Sequence, residues 1–366
     1  MKITFVNDAF CGGGKERRQL RIIQGLNSYG YTDIQIIIIN DGIDYPELKE
    51  TTAKIHIINR KERNLSMYQV YSEIKKCIFE FNPDIVQGWG FLSLFFINFL
   101  RLSHKFIYIA SHVADCNPLS IKNSIVNKMC NQLANVIIGN SNAGLDVYGT
   151  PSKKRLCIYN GIKLFTTNFV DIEAKKKELE IKTDYIISMI ARVDEYKDYT
   201  SFIEVARQLR KKRSDITFLA VGKGNLLEKY QDSLSEQEKE YIRFMGFRSD
   251  ISEILQVSTL SLLCTNYLKH GEGISNSILE SLNIGTPVIA TLGGGTPEII
   301  VNGHNGYLIE KNNISDFVAK IEYLLSDKSV YDNMCKNAKE CVREKFSLED
   351  RTMDYIKLYE KLMLKQ

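Results

Sequence analysis

The sequence predicts an α/β protein of two domains, each organised around a doubly wound parallel sheet. Three observations carry this. The chain has 366 residues, more than the ~100–200 that one core ordinarily takes. Its composition, 44% hydrophobic and 25% charged, is that of a globular chain and excludes a wholly disordered one. Apolar runs rich in Ile, Val and Phe alternate with amphipathic stretches along most of the length. That is the pattern of strand–helix units whose parallel strands are covered on both faces. Two such series make two Rossmann-like domains.

In the first series the strands fall at 3–6, 34–39, 55–58, 85–87, 106–109, 136–138 and 156–159. Each is a short β-branched or aromatic run bounded by polar or turn-forming residues. The second series has strands at 185–190, 217–221, 242–245, 260–264, 287–290 and 306–308. Segments 16–28, 67–79, 200–211 and 275–283 space their apolar residues as helices lying on a sheet do. Asn160-Gly161 closes the first series and Tyr185 opens the second. Residues 1–165 and 166–345 are therefore set as the two domains, with the charged stretch 166–183 read as a linker carrying a short helix of its own. From Phe346 onward, 346–366 reads as an amphipathic helix with Tyr355, Leu358, Tyr359 and Leu362 on one face. It is expected to pack back toward the N-terminal domain.

Net charge is +4 and unevenly placed: residues 1–165 carry 20 Lys and Arg against 13 Asp and Glu. A basic first half suits an anionic partner such as a phosphate group or an acidic membrane face. The excess is too small and dispersed for nucleic acid. The apolar segment 89–102 is shorter than the ~20 residues a membrane span needs and is read as a core helix. The first strand begins at once, without a signal-peptide pattern, so a cytoplasmic location is expected. Eight scattered cysteines with no Cys-x-x-Cys pair are expected to be buried apolar side chains rather than disulfides or zinc ligands.

Three stretches point to chemistry. Cys11-Gly12-Gly13-Gly14-Lys15-Glu16 leads from the first strand into a helix, where glycines let backbone amides approach an anion. It is neither G-x-G-x-x-G nor a P-loop, which weakens nicotinamide and NTPase readings. Arg192 and Lys197, five residues apart at a strand end, can clamp a diphosphate. Between Gly271 and Ile300, Glu272 sits in a glycine-flanked loop, Ser275 or Asn276 caps a helix, Glu280 lies two turns on and Gly285 ends it. Carboxylates about 12 Å apart along a helix axis cannot form one acid/base dyad. They can hold hydroxyl groups at the two ends of a long ligand, with the amides of Gly273, Ile274, Ser275 and Asn276 facing a diphosphate between them. A nucleotide sugar has that shape.

On these residues the chain resembles the retaining glycosyltransferases of family four, which have the GT-B fold. The resemblance is carried by Glu272 and Glu280 with seven residues between, Gly285-Thr-Pro-Val-Ile-Ala, Gly294–Glu298, Asn305–Leu308, Val221–Gly224, Gly246–Ile251 and Tyr159–Ile162. Gly13–Glu16, Pro83–Val86 and His112 extend it through the first half. The GT-B fold implies two Rossmann-like domains facing a central cleft. The resemblance implies that Arg192 and Lys197 neutralise the departing diphosphate, Glu280 binds the ribose and Glu272 contacts the transferred sugar. It implies that Gly13 and Gly14 lie against the phosphate or sugar, His112 near the reacting sugar, and Phe247 and Arg248 where the base is met. Gln87 stands where the family frequently has His, and Lys163 where an acidic residue is usual, departures that bear on the acceptor pocket and the sugar.

The implied reaction is retaining transfer from a nucleotide-diphosphate sugar, UDP ahead of GDP, to a glycan or lipid-linked acceptor in surface polysaccharide biosynthesis. No cofactor is expected, and no metal, since the chain has no Asp-x-Asp motif. Peripheral contact with the inner face of the plasma membrane through the basic first half is a further expectation. The alternative is a catalytically silent GT-B protein that binds a nucleotide sugar as a scaffold; an epimerase fits less well.

Overall fold

The computed structural model describes residues 1–366 except Gly12, Asp41, Thr167, Asn168 and Gln366. The chain divides into two compact units, one formed by Met1–Gly161 with Leu348–Gln366, the other by Ile162–Ser347.

The first unit has strands β1 (Ile3–Asn7), β2 (Ile34–Ile38), β3 (Lys54–Ile57), β4 (Ile85–Gly88), β5 (Ile107–Val113), β6 (Val136–Gly139) and β7 (Arg155–Cys157). They form one sheet in the order β3-β2-β1-β4-β5-β6-β7, every adjacent pair parallel. The second unit has β8 (Tyr185–Ile190), β9 (Ile216–Val221), β10 (Ile242–Gly246), β11 (Leu260–Leu263), β12 (Val288–Thr291) and β13 (Gly306–Ile309). Their order is β10-β9-β8-β11-β12-β13, again all parallel. In both sheets the order reverses beside the first strand, which makes each a doubly wound sheet with a switch point at the carboxyl ends of its central strands.

Alternation along the strands explains the layers. Phe5, Ile36 and Ile38 face one apolar cluster, Val6 and Ile37 the other, because successive side chains point to opposite faces. In the second unit Ile187 and Met189 enter one core and Ile186 the other. Helix Phe91–Ser103 buries Leu94, Phe96, Ile97 and Leu100 in the first unit's core, which accounts for its hydrophobicity. Among the described residues no helix is long and apolar enough to cross a membrane.

Two boundaries differ from the sequence reading. The stretch read as a linker is part of the second unit: helix Ile172–Glu178 plants Lys175, 6% exposed, against Glu178, Asp250 and Glu253 at 2.8, 2.6 and 2.7 Å. Lys175 is an internal tie, while the stretch's other described charges are exposed or partly so. The last helix runs Leu348–Met363, while Phe346 stays with the second unit, its carbonyl accepting from the Ile162 N–H at 2.8 Å. The units therefore part at 161/162 and 347/348 rather than 165/166 and 345/346. Helix Leu348–Met363 lies on helix Gly14–Ser28, with Gly25 making room for Thr352 and Tyr355 and Tyr359 fully buried. Among the described residues no disulfide is formed; Cys130, Cys264 and Cys341 are buried, Cys11 is exposed and the others are half-buried.

Candidate functional site

The switch point of the second sheet lies between β8 and β11, where the following loops diverge and leave room for a ligand. Both loops are stitched together. The Asp198 N–H donates to the Cys264 carbonyl (2.9 Å) and the Asn266 N–H to that of Tyr196 (3.0 Å), while Asn266 Nδ2 donates to the Glu195 carbonyl at 3.2 Å. Lys197 and Thr265 form the bridge between them.

At that bridge the Lys197 ammonium is in contact with Glu272 Oε1. Thr265 Oγ1 donates to the same oxygen (3.3 Å), and the Thr265 N–H is held by Thr291 Oγ1 (3.2 Å). The two charged side chains are only 14% and 9% exposed. Burial pushes the Lys197 ammonium from its ordinary 10.5 down to about 8; nearby Asp194 opposes the shift and Arg192 adds to it. Arg192 is the accessible cation of the group, 68% exposed, paired with Asp194 Oδ2 at 2.6 Å and lying 5.9 Å over the Tyr196 ring.

The loop bearing Glu272 is shaped by glycine. Gly294 has φ +52° and its α-carbon abuts the Glu272 carbonyl, a position where a Cβ would be both strained and blocked. The neighbouring Gly295 N–H donates to that carbonyl at 2.8 Å. Tyr267 braces the same loop, its hydroxyl donating to the Gly293 carbonyl at 2.7 Å. Gly273, Ile274 and Ser275 are buried and Asn276 partly so. Helix Asn276–Ile284 follows; its N-cap Ser275 makes no side-chain bond to the first-turn amides and instead meets Ser277 Oγ at 3.0 Å. The helix dipole therefore adds to the positive character beside Glu272. Glu280 lies partly buried on this helix, which ends at Gly285 with φ +94°.

Beyond β9, Gly222 (φ +155°) lets its loop pass against the Ala191 carbonyl. Lys223 Nζ sits 5.4 Å over the ring of Phe247, which is 70% exposed. Arg248 beside it is bound by Asp250 at 2.8 and 2.5 Å and by Glu178 at 2.9 Å, a tie to the helix that carries Lys175.

In the first unit, Gly13 caps helix Gly14–Ser28 in extended conformation (φ −136°, ψ 164°), with its carbonyl accepting from Tyr45 OH at 2.9 Å. Gly12 of the same run lies outside the described residues. His112 on β5 is 5% exposed and packed by Phe91 and Tyr148. Its Nε2 donates to Asn127 Oδ1 (2.9 Å), the Asn127 amide group being committed to the Tyr148 carbonyl at 2.7 Å. Nδ1 therefore carries the lone pair. Burial lowers the imidazole to about 4, so His112 is neutral at physiological pH and presents an acceptor.

The structure thus joins Arg192, Lys197 and Glu272 at one strand-order reversal. It pairs Lys197 directly with Glu272, two residues the resemblance assigns to different parts of the donor. Sequence reasoning missed Thr265, Tyr267 and Asp194. Asp194 lay inside the motif stretch between the two cations, whereas Thr265 and Tyr267 had no signal.

Residues 171–341 match the family model described as glycosyl transferases group 1. Among curated relatives, an uncharacterized glycosyltransferase, MJ1178 of Methanocaldococcus jannaschii, is 31% identical over 150 residues, covering 40% of this chain and 41% of that one. The UDP-Gal:alpha-D-GlcNAc-diphosphoundecaprenol alpha-1,3-galactosyltransferase of Escherichia coli is 29% identical over 219 residues, covering 58% and 55%. The chain spans about half the length of the curated relatives it matches. Among solved structures, Anabaena Alr3699/HepE in complex with UDP superposes with a TM-score of 0.87 at 18% identity, covering 99% of this chain and 100% of that one.

Proposed function

With residues 171–341 a glycosyl transferases group 1 segment and the chain in the GT-B fold, we propose that the protein is a retaining glycosyltransferase. It moves a sugar from a nucleoside diphosphate, UDP foremost, to a lipid-linked or glycan acceptor in surface polysaccharide assembly. The observation that carries this reading is the buried Lys197 at the β8/β11 switch, in contact with Glu272 and with Arg192 nearby. A desolvated ammonium beside an exposed guanidinium and a helix N-terminus suits a diphosphate rather than an acid/base dyad.

In the proposed step the bond from the sugar's anomeric carbon to the diphosphate oxygen breaks. The acceptor oxygen bonds to that carbon on the same face, and its proton passes to the departing phosphate oxygen. Lys197 and Arg192 offset the charge that develops, so the step is proposed to run without a metal. Glu280 would bind the ribose, the amides of Gly273 to Asn276 the diphosphate, and Phe247 the base. Glu272 would turn Lys197 toward the diphosphate and meet the sugar. The Gly14 amide is proposed to donate to a phosphate oxygen, and the His112 Nδ1 lone pair to accept from a sugar hydroxyl. The solved relative with UDP and the galactosyltransferase named for a UDP sugar support a uridine donor. The exposed Ile121 and Ile125 beside Lys122 and Lys128 on one helix support contact with an acidic membrane face.

The test is turnover of UDP sugars by wild type and Lys197→Ala, with and without EDTA. Loss of about 10²–10³ in kcat for the variant, with EDTA silent, is expected. Unaltered kcat in Lys197→Ala would overturn the mechanism. Tight binding without turnover of any sugar in the wild type would favour the silent scaffold instead.

A further inference from the structure

The first sheet has its own switch point between β1 and β4, and the side chains there are not those of an inert core. Arg18, in the second turn of the helix after β1, is 3% exposed. One of its terminal nitrogens, Nη2, donates to the Ile158 carbonyl (2.8 Å) and to Tyr355 OH (2.7 Å). Its Nε and Nη1 are buried and have no hydrogen-bond partner among the described residues. No carboxylate of the described residues pairs with it. Trp89, the first residue after β4, is fully buried, and its Nε1 likewise has no partner. The guanidinium carbon stands 5.4 Å over the Trp89 ring and 5.9 Å over that of Tyr355.

Cation–π contacts of this kind stabilise far less than a buried charge without a counter-charge costs. One carbonyl and one hydroxyl acceptor do not neutralise a guanidinium. The unsatisfied atoms of this pair are all N–H donors, and the guanidinium adds a full positive charge. Donors in the fork geometry of arginine, beside a further indole donor, match an oxyanion. Unsatisfied buried groups at a strand-order reversal are where such a ligand would be sought.

We propose that Arg18 and Trp89 form a binding site for a small oxyanion, a carboxylate or a phosphate group, built entirely from the first unit. Arg18 Nε and Nη1 take one side of the group and the indole Nε1 another of its oxygens. The site is independent of Lys197 and is not part of the donor reading above. Because Tyr355 shares Arg18, its occupancy also bears on the docking of helix Leu348–Met363.

Trp89 is the sole tryptophan of the chain, so intrinsic indole emission reports this site alone. The full chain is titrated with inorganic phosphate or acetate in place of chloride at constant ionic strength, without any nucleotide sugar. A saturable change in emission is expected in wild type and in Lys197→Ala, and at least a tenfold weaker response in Arg18→Gln. The phosphate and acetate arms distinguish which oxyanion is held. A flat response, or an equal one in Arg18→Gln, overturns the proposal. Should Arg18→Gln not fold, crystals of the wild type soaked in arsenate decide: anomalous density against Arg18 and Trp89 supports the site, its absence there overturns it.

Discussion

Lys197 holds a positive charge where little water reaches it, and its neighbours decide when that charge is lost. Its ammonium titrates near 8 rather than 10.5 because burial disfavours the charged form. The charged fraction therefore falls as pH rises through about 8, and kcat/KM, which reports the free enzyme, should fall with it. Arg192→Ala removes a like charge from beside Lys197, so the descending limb should move to higher pH while maximal activity drops. An unmoved limb would assign the titration elsewhere. Glu280→Ala should abolish the thermal stabilisation by UDP if that carboxylate binds the ribose. Gly294→Ala places a side chain at φ +52° against the Glu272 carbonyl; a loss of about 1–3 kcal/mol in urea unfolding is expected. Motif spacing singles out Arg192, Lys197, Glu272 and Glu280 in the sequence, and the structure brings the first three together at the β8/β11 switch. The direct Lys197–Glu272 contact was not legible there, since it joins residues 75 apart through the adjacency of β8 and β11, which no local pattern encodes.

At the scale of elements, the strands were the most legible part of the chain. Runs such as Ile34–Ile38 are short, β-branched and buried on both faces, and only a parallel core strand satisfies all three. Stretch 166–183 misled for a physical reason: lysines at a helix end normally mean solvent, yet Lys175 is buried, paired with Glu178 of its own helix and with Asp250 and Glu253 from elsewhere in the unit. The last helix is fastened by hydrogen bonds as well as apolar packing. Tyr359 OH donates to Gln87 Oε1 at 2.6 Å, and Gln87 Nε2 donates to Ser111 Oγ at 2.7 Å, the residue before His112. Tyr359→Phe leaves a buried carbonyl without its donor, and a loss of about 1–3 kcal/mol is expected in chemical unfolding. A Gln at position 87, where the resembled family frequently has His, is thereby explained as the link between this helix and β5.

For the whole molecule, alternation of strands and helices predicted both sheets, because each strand–helix unit announces itself within about 30 residues. Which segment completes which unit is not a local property. Helix Leu348–Met363 was placed with the first half on its apolar face alone, but its partners Arg18, Gly25 and Gln87 lie more than two hundred residues earlier. The first unit is therefore discontinuous, and this bears on biosynthesis. A ribosome releases residues 1–161 first, yet Trp89 and Arg18 keep an uncovered flank until the whole intervening unit has been translated. Of the two units, the one begun first is completed second, and a nascent chain stalled between Gly161 and Leu348 leaves that flank uncovered.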